Sequence, residues 1–267
     1  MKGYHPQPVA NTAKHDKVMT MNNLVSFGSK QVSPEDKKRL VQDHFDTVAP
    51  RYDLTNTLLS FGLQHVWKRR AVAMLGLKEG EQVVDVCGGT ADLALLAARV
   101  VSPAGRLVVY DFNRAMMALG QDKVRQAGLA HAIAFVQGDA ESLALADGSF
   151  DAAMVGFGIR NLSDMVQGLK EMHRVLKSGG RIMILEFSQP TNPWFKALYD
   201  FYSFTVMPLV GQVMVGSWQA YTYLPESIRL FPSPGELSET LRGLGFTEVT
   251  YKALSNGIAV IHVGKKS

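Results

Sequence analysis

The chain has 267 residues, 46% of them hydrophobic and 19% charged, the ordinary balance of a globular domain with a real core. Its net charge of +4 and pI of about 9.1 come from scattered Lys and Arg; the densest run, Lys68-Arg69-Arg70, is too short for a nucleic-acid footprint, although a mildly basic surface also suits an anionic membrane face. The single cysteine, Cys87, excludes an internal disulfide and fits a reducing cytoplasmic setting, and the longest apolar stretch, Thr205 to Val215, is broken by Pro208, Gly211 and Gln212 and is too short to span a bilayer.

Residues 1–30 are polar and contain Pro6, Pro8 and Asn22-Asn23, which reads as a disordered tail ahead of one domain over 31–267. Helices are expected over 31–76. The first starts at Ser33 as cap, with Pro34 at the first helical position and Glu35 and Asp36 on the positive end of the dipole, and it stops before Pro50. The second covers about Leu54 to Leu75, with a break at Ser60-Phe61-Gly62. Alternation follows: strand Gln82–Cys87, helix Asp92–Val101, strand Arg106–Tyr110, helix Asn113–Ala127 ended by Gly128, strands His131–Val136 and Phe150–Phe157. A helix from Ser163, its expected cap, to Leu176 is closed by Gly179-Gly180 and followed by strand Arg181–Phe187. Residues 190–234 form an aromatic-rich insertion, and two strand-like runs, Thr247–Leu254 and Gly257–Gly264, meet at Ser255-Asn256-Gly257, a strong hairpin signal. The pattern predicts an α/β fold: a doubly wound, mostly parallel sheet ending in an antiparallel hairpin, the layout of class I methyltransferases that use S-adenosylmethionine (SAM).

The cofactor case rests on three strand ends. Asp85-Val86-Cys87-Gly88-Gly89-Thr90-Ala91-Asp92 turns sharply from strand to helix, where glycines let backbone approach a ligand. Gly88 and Gly89 would face the methionine part of SAM, Thr90 would add a hydroxyl, and Asp85 would accept from the ammonium directly or through water. Asp111 closes the second strand, where an acid accepts from both ribose hydroxyls. Asp139 closes the third and would accept from the adenine amino group, with the Ala140 backbone beside the ring. A dinucleotide is disfavoured because the G-x-G-x-x-G fingerprint is absent; Ala91 stands at the third glycine of many methyltransferases. No metal-ligand cluster is present in the sequence.

The runs Arg51-Tyr52-Asp53-Leu54-Thr55-Asn56, Ser60-Phe61-Gly62, His65-Val66-Trp67-Lys68-Arg69, Gly156-Phe157-Gly158-Ile159-Arg160-Asn161, Leu185-Glu186-Phe187-Ser188 and Tyr223-Leu224-Pro225-Glu226-Ser227-Ile228 resemble the signature of the ubiquinone/menaquinone biosynthesis C-methyltransferases, the UbiE family. The likeness runs from about residue 33 to the C-terminus. Ser178 departs from a usual proline, and Gly156 stands where many members carry a serine. The resemblance implies methylation of a ring carbon on a membrane-borne polyprenyl quinol: demethylmenaquinol, or a methoxy-benzoquinol in ubiquinone synthesis; the alternative is a non-catalytic SAM-binding member of a quinone-synthesis complex, against which the intact Asp85, Asp111, Asp139 and Arg160-Asn161 argue.

A quinol carbon becomes nucleophilic as its hydroxyl loses a proton, so an oxyanion needs stabilising. The resemblance points to Arg160 for that role and to Asn161 for orienting the hydroxyl or a bridging water. The competing use is Arg160 paired with a nearby acid and Asn161 capping a helix. Tyr52, Asp53, Asn56, His65 and Trp67, on the covering helices, and Tyr199 and Tyr202, in the insertion, are the candidate substrate contacts. The insertion's aromatics could wall a pocket, form core or make a homodimer contact. No nucleic-acid substrate is expected: the loop after the fourth strand lacks an Asn/Asp-Pro-Pro-aromatic pattern, and Cys87 lies in the cofactor loop. Any membrane contact is expected to be peripheral, on the inner face.

Overall fold

The computed structural model describes residues 24–267. Most of the expected tail therefore lies outside the described residues, but its last part is structured: β1 (Val25–Phe27) and β2 (Lys30–Val32) pair antiparallel about Gly28, whose φ is +56°. Phe27 stacks on Tyr223 with ring centroids 4.3 Å apart, which pins the hairpin over the body.

Helix α1 (Pro34–Val48) starts as its sequence dictates, with the Ser33 hydroxyl accepting from the Asp36 amide. A 3-10 turn, Ala49–Arg51, leads to α2 (Tyr52–Leu59). The expected break follows, with Phe61 and Gly62 both left-handed, and α3 (Leu63–Leu75) closes on left-handed Gly76.

Strands β3 (Gln82–Val86), β4 (Arg106–Asp111), β5 (Ile133–Gln137), β6 (Phe150–Gly156) and β7 (Leu176–Phe187) pair parallel. Helices α4 (Asp92–Val101), α5 (Arg114–Gln126) and α6 (Met165–Val175) connect them. The insertion folds as helices joined by short turns: α7 (Pro193–Phe201), a wide π turn Tyr202–Val206, α8 (Met207–Val215) and α9 (Trp218–Leu230). Then come α10 (Pro234–Gly243), β8 (Phe246–Leu254) and β9 (Ala259–Lys266). The sheet order is β5-β4-β3-β6-β7-β9-β8, with β9 antiparallel to both neighbours. The predicted α/β, class I architecture is therefore the observed one.

Alternation along the strands divides the core. Val83, Val109, Met154, Met183 and Ile261 pack on α3 and α4, whereas Val84, Val155, Ile182 and Ile184 pack on α6 and α10. A third cluster, Val48, Leu59, Met207 and Tyr221, fastens the insertion to the N-terminal helices.

Three local expectations change. The cap of α6 is Asp164, which accepts from the Gln167 amide, and not Ser163. The Ser163 hydroxyl is committed elsewhere: it donates to the Pro34 carbonyl and ties down the start of α1. Gly179-Gly180 do not separate helix from strand but lie within β7, which begins at Leu176. Helix α10 was not anticipated, although Ser233 and Glu236 form a full capping box at its start.

Candidate active site

The carboxyl ends of β3, β4, β5 and β6 converge on a cavity of about 210 Å³. Every cofactor candidate lines it: Asp85, Gly88, Gly89, Thr90, Asp111, Asp139 and Ala140. The order β4-β3-β6 makes this the switch point of the sheet, where chain connections diverge and leave a crevice.

The loop from β3 to α4 is held in an unusual shape. Cys87 and Ala91 are both left-handed, at φ +55° and +63°, a conformation that costs a non-glycine residue on the order of 1 kcal/mol or more. Hydrogen bonds over-determine it. Asp111 Oδ2 accepts from the Gly89 amide at 2.9 Å and its Oδ1 from the Asn113 amide at 2.8 Å. Asp85 Oδ2 accepts from the Ala94 amide at 3.1 Å. A Cβ at Gly88 would lie 2.9 Å from the Asp85 carboxyl, so glycine is required there. At Gly156 the space of a side chain is already filled by Leu93, 2.5 Å from a notional Cβ.

Asp85 is the informative group. Its Oδ1 is buried and has no partner among the described residues. Burial pushes its carboxyl up to about 8, against the pull of the Ala94 amide. An ammonium beside that oxygen supplies what it lacks and favours the ionised form, so the lining fits SAM. Burial also raises Asp111, to about 6. Asp139 is half-exposed, accepts from the Glu141 amide and pairs with Lys38 of α1 at 2.6 Å. The covering helix thereby reaches the Asp139 end of the cavity, through a lysine that the sequence did not single out.

A second cavity, of about 410 Å³, adjoins the first. Phe45, Tyr52 and Phe157 line both. Of the acceptor candidates, Tyr52, Asn56, Trp67, Tyr199 and Tyr202 line the second cavity, and two do not. Asp53 turns beneath the loop, accepting from the Thr90 hydroxyl at 3.2 Å and pairing with Lys123, which also binds Asp92. Exposed His65 lies with Nε2 3.1 Å from the Thr57 hydroxyl.

Arg160 and Asn161 stand where the cavities meet, Arg160 in the second lining and Asn161 in the first. The Arg160 guanidinium pairs with Glu186 Oε1 at 2.7 Å, donates to the Phe157 carbonyl and lies 5.4 Å from the Phe187 ring centre. The pairing with an acid, one of the two uses weighed from sequence, is present, and Arg160 also lines the second cavity. Asn161 caps no helix; its Oδ1 accepts from the Tyr223 hydroxyl at 2.8 Å. Burial raises Glu186, and the Arg160 charge opposes that rise. Tyr223 is pushed by burial up to about 12.

Sequence reasoning did not pick out Glu186, Tyr223, His44 or Phe45 as site residues. Glu186 lay inside a motif without a role, and Tyr223 was read only as one of the insertion's aromatics that could wall a pocket. Phe45 carried a signal, since Val41, Phe45 and Val48 repeat at helical spacing and turn one face of α1 to the site.

The family model of the ubiE/COQ5 methyltransferase family matches residues 30–266. The chain is 43% identical over 245 residues to the ubiquinone/menaquinone biosynthesis C-methyltransferase UbiE of Haemophilus ducreyi, covering 92% of this chain and 95% of that protein. It is 40% identical to the UbiE protein of Hahella chejuensis, over 93% of this chain and all of that one. Among solved structures, a SAM-dependent methyltransferase of Thermotoga maritima superposes with a TM-score of 0.57 at 18% identity, covering 84% of this chain and all of that one. The [4+2]-cyclase SpnF gives 0.63, also at 18% identity, over 85% of this chain and 94% of that one. At such identities these structures speak for the fold alone.

Proposed function

Since the chain belongs to the ubiE/COQ5 methyltransferase family and is a SAM-dependent methyltransferase of the quinone-biosynthesis type, we propose that it methylates a ring carbon of demethylmenaquinol to give menaquinol. One observation carries this choice of acceptor class. An aromatic-lined cavity meets the cofactor cavity at Arg160–Asn161, and its walls suit a flat apolar ring with a prenyl tail.

Bound SAM supplies a sulfonium methyl already activated for transfer. The protein's part is to place the acceptor carbon in line and to exclude water, which is worth on the order of 7–11 kcal/mol. Phe45, Tyr52 and Phe157 provide the dry wall between the cavities. Arg160 stabilises the developing ring oxyanion, and Asn161, held by Tyr223, orients the hydroxyl. Glu186 positions Arg160.

The test incubates the purified protein with methyl-labelled SAM and either demethylmenaquinol or the methoxy-benzoquinol. Label on the menaquinone ring carbon is expected. SAM bound but no ring label from either quinol would sink the enzyme reading. Label on the benzoquinol alone would move the assignment to the ubiquinone pathway, which the names of the relatives also include.

The acceptor's tail implies a bilayer, and the protein is proposed to work as a peripheral protein on its cytoplasmic face. Among the described residues no helix is long and apolar enough to cross a membrane. Phe61, Leu63, Phe195 and Leu198 line the second cavity. The apolar surface extends outward from α7 and α8 through Trp194, 87% exposed, and Val213, 74% exposed. A lipid surface is the occupant this face fits, because Phe61 and Leu198 line the cavity and are themselves exposed, and Trp194 lies one turn before Leu198 on α7. Trp194→Asp with Val213→Asp is expected to weaken binding to phosphatidylglycerol/phosphatidylcholine vesicles by about tenfold or more. Turnover of a tail-less quinol should stay at wild-type level. Undiminished sedimentation with vesicles would refute the membrane face.

A further inference from the structure

Resting on the quinol reading, the reaction needs a proton acceptor inside the second cavity, because the ring hydroxyl must give up its proton for the carbon to become nucleophilic. The polar side chains of the lining divide by what they can do with a proton. The tyrosines are held neutral, burial raising all five, Tyr52 and Tyr223 the furthest. Asn56, Ser60 and Gln64 exchange hydrogen bonds but do not take up charge. Arg160 is already a cation. Glu186 lies outside the lining, and its oxygens are engaged by the Arg160 guanidinium and amide and by the Phe187 amide. One side chain of the lining remains, His44 on α1.

The His44 imidazole is positioned by rings. It stands edge-on to Phe45 at 5.1 Å and to Tyr223 at 5.2 Å. It makes no hydrogen bond to any described residue, which leaves its nitrogens for a ligand. Tyr223 is the residue whose hydroxyl holds Asn161, so the imidazole sits beside the pair already placed at the junction of the cavities. Burial, and then the Arg160 charge, push His44 down to about 4. At neutral pH it is therefore the free base.

We propose that His44 is the general base that removes the quinol hydroxyl proton. The O–H pair flows into the ring, and the ring carbon's pair forms the new bond to the donor methyl as the methyl–sulfur pair departs to sulfur. The methylated carbon then sheds its hydrogen as a proton, its C–H pair restoring aromaticity. The ring oxygen recovers the proton held by the imidazolium, and one proton leaves overall. The Arg160 charge lowers the cost of the ring oxyanion and so acidifies the hydroxyl, which counters the weaker basicity that burial and the same charge give the imidazole.

The experiment compares the wild-type full chain with His44→Gln and His44→Asn, measuring kcat on demethylmenaquinol and the SAM dissociation constant. Neither substitution touches the cofactor lining, so SAM binding reports folding. Both variants are expected to bind SAM within about twofold of wild type and to lose about 10²-fold in kcat. A variant that binds SAM and keeps more than about a tenth of the wild-type rate overturns the assignment, since that loss is too small for a missing base. A wild-type protein that binds SAM without methylating the quinol overturns the proposed function instead. Should both polar variants lose SAM binding, His44→Phe keeps the ring packing and carries the same comparison.

Discussion

An Arg160→Met enzyme is expected to lose about 3–5 kcal/mol of stability in urea unfolding, together with nearly all of its turnover. The stability loss comes from Glu186. Its side chain is 2% exposed, and Arg160 both pairs with it and lowers its protonation. Removing the arginine leaves a carboxylate in an apolar interior, which either stays charged at high cost or takes up a proton. Either route gives a signature. The folded carboxyl titrates higher still than in the wild type, so the native state binds more protons than the unfolded chain. Stability of the variant should therefore be greatest below the usual carboxylate range and decline as pH rises through the raised value. The double variant Arg160→Met/Glu186→Gln should recover most of the stability and none of the turnover. An Arg160→Met single variant as stable as wild type across pH 5–8 would remove the buried pair from the account.

Asp111→Ala is expected to raise the SAM dissociation constant by about tenfold or more, equivalent to about 1.4 kcal/mol. Both carboxylate oxygens already hold loop amides, those of Gly89 and Asn113. Each oxygen keeps a second lone pair for a ribose hydroxyl. The substitution therefore removes ligand contacts and frees a loop whose left-handed Cys87 and Ala91 depend on that anchoring. Asp139→Ala should cost less, because Asp139 is half-exposed and shares its charge with Lys38. Calorimetric titration checks both, and an Asp111→Ala curve that overlays the wild type refutes the ribose assignment.

The sheet was legible because its signals are local. Short valine-rich runs such as Gln82–Val86 read as buried strands, and the three acids at strand ends mark positions that the parallel topology must bring together. The cofactor cavity follows from that topology, which is why all its candidate residues converge. What escaped depends on which side chain meets which across the fold. Ser163 satisfies every local rule for a cap, yet its hydroxyl is drawn to the Pro34 carbonyl, 129 positions away. Glu186 reads as one acid at the end of an apolar strand, and nothing near it announces Arg160 as its partner. Asp53 belongs to the N-terminal signature, but consecutive positions of α2 point about 100° apart, so Tyr52 lines the second cavity while Asp53 turns to Lys123. Helix α10 was a different kind of omission, since Ser233-x-x-Glu236 was readable.

The two cavities share an aromatic wall but open differently. The first cavity is edged by the half-exposed charges of Lys38 and Asp139, the second by the exposed apolar side chains Phe61, Leu63 and Leu198. On the proposed reading, one mouth on water and the other on lipid would free the substrates from queuing for one entrance. If the apolar mouth rests on lipid as proposed, spent donor can leave into water and fresh donor can arrive while the protein stays seated. The enzyme then behaves as a shuttle between solvents, reloading from one while it surveys the other for its next ring.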